Sequence, residues 1–155
     1  MIAPFKYSSQ HQRARPKETG RIRKRATDEG LTGFIGGIKA SDIEERFARS
    51  LSKHRLEYTF QQHYFGPAKN TPGAIQVDFM VNLGAMWVPV QIDGEIAHRT
   101  IMQRMEDKVK DSRLNQHFSL VGVKPVVRIP DGVYYPIGAL DTQENTDRIV
   151  KSLFA

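Results

Sequence analysis

Apolar and polar positions alternate twice in the middle of the chain. Ile75, Val77, Phe79 and Val81 alternate with Gln76, Asp78 and Met80. After a break at Asn82–Met86, Val88, Val90 and Ile92 alternate with Trp87, Pro89, Gln91 and Asp93. A period of two is the mark of strands, and the short break makes the pair an antiparallel hairpin. Setting Asn82 opposite Trp87 brings Val81 to Val88, Phe79 to Val90 and Val77 to Ile92. All the apolar residues then share one face, as a half-buried sheet requires. The same register places Asp78 opposite Gln91 and Gln76 opposite Asp93 on the other face.

The flanking segments change period. Ser41-Asp42-Ile43-Glu44 is a capping box, and Ile43, Phe47 and Leu51 follow at helical spacing, so a helix is predicted over 41–54. Leu56 to Phe60 alternates and predicts a strand that extends toward Phe65. A loop is expected from Gly66 to Gly73. Ile101, Met105, Val109, Leu114 and Phe118 read as one stripe of a helix over 100–118. Val123–Ile129 reads as a strand. Asp141-Thr142-Gln143-Glu144 caps a last helix over 142–154. The predicted class is α/β, in the α+β sense of a mixed sheet with helices, in the order αβββαβα.

Charge divides the chain in two. Residues 1–30 hold eight Lys/Arg against three Asp/Glu, which leaves only +1 of the net +6 for the remainder. Residues 1–39 therefore read as a basic extended arm, and residues 40–155 as the folded domain. Pro4 and Pro16 interrupt the arm, and Thr32–Gly37 reads as its flexible junction. Polyphosphate is a natural partner for Lys6, Arg13, Arg15, Lys17, Arg21, Arg23, Lys24 and Arg25, since each phosphate contact releases counterions. A solubilising tail and an arm that packs on other protein subunits are the alternatives. The chain contains no Cys, which excludes disulfides, thiolate zinc sites and Cys nucleophiles. No apolar run approaches the roughly 20 residues of a membrane span. A cytoplasmic protein, or a component of a virion, is expected.

Taken in order, Val77-Asp78-Phe79, Gln91-Ile92-Asp93-Gly94, His98, Asp111, Arg113, Gly122 and Val126-Val127-Arg128-Ile129 resemble the PD-(D/E)XK nuclease superfamily. Within it, the nearest group is that of the very-short-patch repair endonucleases. The resemblance covers about residues 41–130 and omits the arm. It implies a restriction-endonuclease-like core and a site that binds Mg²⁺ (or Mn²⁺) for phosphodiester hydrolysis. On this resemblance Asp78 and Asp93 are the metal ligands. Gln91 stands where the family usually has Glu, and Asp93 stands where most members have Lys. Glu44 matches a helix-one Glu, and His98 a downstream proton carrier. Two functions follow, a DNA (rather than RNA) endonuclease or a catalytically inactive structural protein of a virion or nucleoprotein assembly, anchored by the arm. An Arg or Lys filling the space between the carboxylates would mark the second.

Other residues receive plainer readings. Glu45 is expected in solvent, Asp111 and Arg113 as an ion pair on their helix, and Trp87 as packing. His54, His63 and His117 show no metal spacing.

Overall fold

The computed structural model describes residues 29–66, 73–93, 101–119, 123–129, 135 and 138–154. The elements run β1 (Phe34–Ile35), β2 (Ile38–Lys39), α1 (Asp42–Lys53), β3 (Glu57–Tyr64), β4 (Ile75–Asn82), β5 (Trp87–Ile92), α2 (Ile101–Ser119), β6 (Val127–Ile129) and α3 (Gln143–Phe154). This is a mixed α/β chain with a four-stranded mixed sheet and three helices. From α1 onward the elements follow the expected order. No described helix is long and apolar enough to cross a membrane. The chain divides into two compact units.

The first unit contains the sheet, in the order β3-β4-β5-β6. β4 and β5 pair antiparallel with Asn82 opposite Trp87, Val81 opposite Val88 and Phe79 opposite Val90, the register read from the alternation. Leu83 donates to the Met86 carbonyl at 2.8 Å, and Gly84 takes the positive φ of +91° that closes the turn. β6 joins β5 in parallel and sets Gln91 beside Arg128. Val77, Phe79, Val81, Val88 and Val90 are buried as the pattern requires, with Phe60 against Phe79 at 5.0 Å between ring centres. Met80, Trp87 and Pro89 on the opposite face are buried too. The hairpin is thus covered on both faces there and is not half-wet, and Trp87 is a packing residue.

The sixth strand is shorter than the expected 123–129, because residues 123–126 lie outside the ladder. Lys124 N–H still bonds the Trp87 carbonyl, and Val126 N–H bonds the Asn115 side chain. On α2 only Leu114 and Phe118 are buried. Ile101, Met105 and Val109, expected in the same stripe, are 59–77% exposed.

The second unit contains β1, β2, α1 and α3. Ser41 caps α1 by accepting from Glu44 N–H, the first bond of the predicted capping box, while the Glu44 carboxylate accepts from the Ser41 hydroxyl and not from its backbone N–H. Residues 29–39, read as the end of a flexible arm, are ordered. Gly36 and Gly37, both at positive φ, make the two-residue turn of a β1–β2 hairpin. Leu31 and Ile35 are buried with Phe47, Leu51, Leu140 and Val150.

Glu45 holds this segment in place. It is buried and not solvated, because its carboxylate accepts from Thr32 N–H at 2.9 Å and Gly33 N–H at 2.6 Å. Thr32 Oγ1 and Arg49 add bonds at 3.1 and 3.2 Å. Arg46 reaches Glu29 at 2.9 Å and the Leu140 carbonyl at 3.0 Å, and Gln143 N–H, at the start of α3, bonds Glu29 at 2.7 Å.

Candidate functional site

Strand geometry fixes the corner where β4 begins and β5 and β6 end. Gln91 and Asp93 are two apart and so point to one face, and Arg128 stands in register beside Gln91. Asp78 lies across the β4–β5 ladder. Its Oδ2 accepts from Ile92 N–H at 2.8 Å, and its own N–H donates to Gln91 Oε1 at 3.1 Å. Gln91 Nε2 donates to the Gln76 carbonyl at 2.9 Å. A Gln satisfies both neighbours because it carries an acceptor and a donor. The two polar residues therefore behave as a cross-strand clasp, with Gln91 only 7% exposed.

Asp93 extends the clasp to β6. Its N–H bonds the Ile129 carbonyl at 2.8 Å, and its Oδ1 accepts from Arg128 Nη1 at 2.7 Å. The same guanidinium reaches α2, where Nε and Nη2 meet the two oxygens of Asp111 at 2.6 Å each. Asp107, one turn earlier, lies 3.8 Å from Nη2. Burial alone would disfavour the charge on Arg128. The bonds to Asp111 and the negative charge of Asp93 outweigh it and hold the guanidinium above its ordinary range. Arg128 is therefore a permanent cation that ties the end of β5 to α2.

The resemblance brought Asp78, Gln91 and Asp93 to one place, and the structure also puts them on adjoining strand ends. Glu44 belongs to the second unit, where its carboxylate accepts from the Ser41 hydroxyl. His98, Gly94 and the basic residues Arg13, Arg15, Lys17, Arg21, Arg23, Lys24 and Arg25 lie outside the described residues. The expected Asp111–Arg113 pair does not form. Asp111 turns to Arg128, and Arg113 bonds the Gly73 carbonyl at 3.1 Å while its Cζ sits 4.4 Å from the Phe65 ring centre. Asp111 is the better placed for Arg128 because it stands on the helix face shared with Leu114 and Phe118, whereas Arg113 is rotated away from it.

A divalent cation does not fit this donor set. The Gln91 carbonyl is bonded to Asp78 N–H, and Asp93 is already paired with a guanidinium. A metal at Asp93 Oδ1 would compete with Arg128 for that oxygen. Among the described residues, no group of three His, Asp or Glu side chains is arranged to hold a metal ion. The sequence reading missed Arg128 and Asp107 as members of this corner. A signal was present, since an Arg inside Val126-Val127-Arg128-Ile129 needs an anionic partner wherever that strand is buried. Comparison of the chain with family models, with curated proteins and with solved structures finds no match in any of the three.

Proposed function

We propose that this chain is a nucleic-acid-binding protein of nuclease-like element order whose strand-end carboxylates hold the fold together and do not cut phosphodiesters. The observation that carries this reading is Arg128, gripped by Asp93 and Asp111 where a nuclease would need open carboxylate oxygens. A guanidinium supplies fixed positive charge but cannot activate a water as a metal does. Binding is assigned to the basic residues between Arg13 and Arg25, whose charge suits a phosphate backbone. A role as an anchored subunit of a larger nucleoprotein assembly fits this division of labour.

One observation favours a second reading, Mg²⁺-dependent endonuclease activity. Asp93, Asp107 and Asp111 all lie within 4 Å of the Arg128 guanidinium, and this group of carboxylates would favour a cation if Arg128 were withdrawn.

One experiment separates the two. The full chain is mixed with duplex DNA over a range of salt, and with plasmid in the presence of Mg²⁺ or Mn²⁺. Expected is binding that weakens about 10³-fold between 50 and 200 mM salt if some six phosphates are contacted, with a shallower slope in the triple variant Arg21→Gln, Arg23→Gln, Arg25→Gln. No plasmid cleavage is expected. Cleavage that disappears in Asp78→Ala would establish the endonuclease instead.

A further inference from the structure

Phe65 directly follows β3 and is 40% exposed. Its backbone sits at φ +63°, a region that bulky L-residues avoid. A strained backbone beneath an exposed aromatic ring is a combination that functional sites keep and ordinary surface does not need.

Two residues of α2 complete the surroundings of this ring. Arg113 stacks its guanidinium on Phe65, with Cζ 4.4 Å from the ring centre. His117, one helical turn later, meets the ring edge-on at 5.4 Å and 74°. The group is braced from within the unit. His117 also lies against Tyr64 at 5.9 Å and Phe118 at 5.4 Å, and Tyr64 packs edge-on against the fully buried Phe118 at 4.9 Å. The platform is therefore held by the core and does not depend on a loose surface contact.

Its polar atoms are poorly used. Arg113 donates only from Nη1, to the Gly73 carbonyl. Among the described residues, Nε and Nη2 of Arg113 and both ring nitrogens of His117 have no hydrogen-bond partner. An exposed aromatic ring, a stacked cation and an imidazole with unused nitrogens make a surface of defined chemistry. It offers π-stacking beside hydrogen-bonding groups, which suits a ring that carries carbonyl and imino acceptors.

We propose that Phe65, Arg113 and His117 form a stacking site for an unpaired nucleobase, so that the nucleic acid held by this chain is at least partly single-stranded. Bases in a duplex are stacked on one another and cannot offer a free face, whereas every unpaired base can. Arg113 and His117 add hydrogen bonds to the base edge or the adjoining phosphate. The site shares no residue with the β4–β5–β6 corner. The inference rests on the nucleic-acid reading given above and refines it.

The test uses the full chain with a short single-stranded oligonucleotide carrying the fluorescent base 2-aminopurine, and with its duplex. The wild type is expected to quench the fluorescent base and to prefer the single strand. Phe65→Ala and Phe65→Leu should each weaken single-strand binding about five- to a hundredfold, while the salt slope and duplex affinity stay unchanged. Phe65→Trp should retain binding. The Leu variant keeps apolar bulk but removes the π face, and circular dichroism checks that each variant is folded. Unchanged single-strand affinity in Phe65→Ala and Phe65→Leu overturns the stacking site and leaves the basic arm as the contact. An equal loss on duplex and single strand also overturns it. A wild type that binds neither form overturns both this inference and the nucleic-acid reading.

Discussion

Arg128 Nη1 lies 2.7 Å from Asp93 Oδ1, and this contact joins the residue that follows β5 to a parallel strand more than thirty positions away in the chain. The planar guanidinium has donors to spare, so the same side chain also takes Asp111 of α2 in a two-pronged bond. Three elements of one unit meet on a single cation. Asp93 is buried, so the pair cannot be exchanged for water without cost.

Removal of one partner should be far worse than the net worth of the pair. Arg128→Met keeps the aliphatic stem but takes the guanidinium away from the buried Asp93 carboxylate and from Asp111. Losses on breaking such pairs run to about 3–5 kcal/mol in full burial, and the partial exposure of Arg128 brings the expectation to about 2–4 kcal/mol. Urea unfolding of the two proteins measures it. A loss under 1 kcal/mol would mean that the carboxylates are solvated and available, which would reopen the endonuclease reading.

Gln91 allows a sharper test of the same corner. Gln91→Glu places a carboxyl in the buried cross-strand clasp. It keeps the acceptor for Asp78 N–H but turns a carboxylate oxygen toward the Gln76 carbonyl. Burial and that carbonyl raise the introduced carboxyl above its ordinary range. The sign is then fixed. With the folded pKa above the unfolded one, stability is retained below the unfolded value near pH 4 and lost as pH rises through the folded one. The variant should be less stable than the wild type by about 2–4 kcal/mol at pH 7, and the gap should shrink on acidification as the carboxyl takes a proton and donates to Gln76. Thermal unfolding at several pH values reads this directly. A gap that is constant with pH would show that the site is wet.

The β4–β5 hairpin was legible to the residue, because a period of two in a buried sheet leaves only one register that puts all the apolar side chains together. Helix α1 was legible from its capping box for a similarly local reason. The corner was legible only in part. Asp78 and Gln91 are neighbours by register, so the hairpin alone placed them. Arg128 and Asp111 reach Asp93 through a parallel strand and a helix, and sequence spacing carries no record of such a meeting. Asp111 and Arg113 looked like an ion pair because they are close in sequence, but residues two apart on a helix do not face each other.

Glu45 illustrates the same limit from the other side. One residue beyond the capping Glu44, it reads as surface, yet it takes the backbone N–H groups of Thr32 and Gly33. Those donors have no other use once Glu45 is gone, so Glu45→Ala should cost about 2–4 kcal/mol and release the 29–39 segment from α1. Amide hydrogen exchange should show Thr32 and Gly33 among the first to lose protection. If protection there is unchanged, the carboxylate is not what orders the hairpin.

Tyr64 gives a test in alkali. Burial raises its phenol above the ordinary range, because the phenolate would have to sit without water. A tyrosine near 10 when unfolded therefore favours the folded form fully below that value, and the advantage fades as pH rises past it. The wild type should lose stability between about pH 9 and 11 more steeply than Tyr64→Phe, which has no proton to lose. Denaturant midpoints over that interval decide it. Equal slopes would place the Tyr64 hydroxyl in contact with solvent.

Helix α2 supplies the last prediction, and it follows from counting degrees. Ile101, Met105 and Val109 are spaced by four, and so are Leu114 and Phe118, which made them look like one stripe. The step from Val109 to Leu114 is five residues, which turns the helix by about 140°. The two sets therefore face different ways, and the structure buries only the second. Leu114→Ala and Phe118→Ala should cost about 2–5 kcal/mol each, as cavities in a packed core do. Met105→Glu and Val109→Ser should stay within about 0.5 kcal/mol of the wild type, since neither side chain leaves a buried space behind. If Met105→Glu were as costly as Leu114→Ala, the outer face of α2 would have to be covered in solution, and the oligomeric state would be the next quantity to measure.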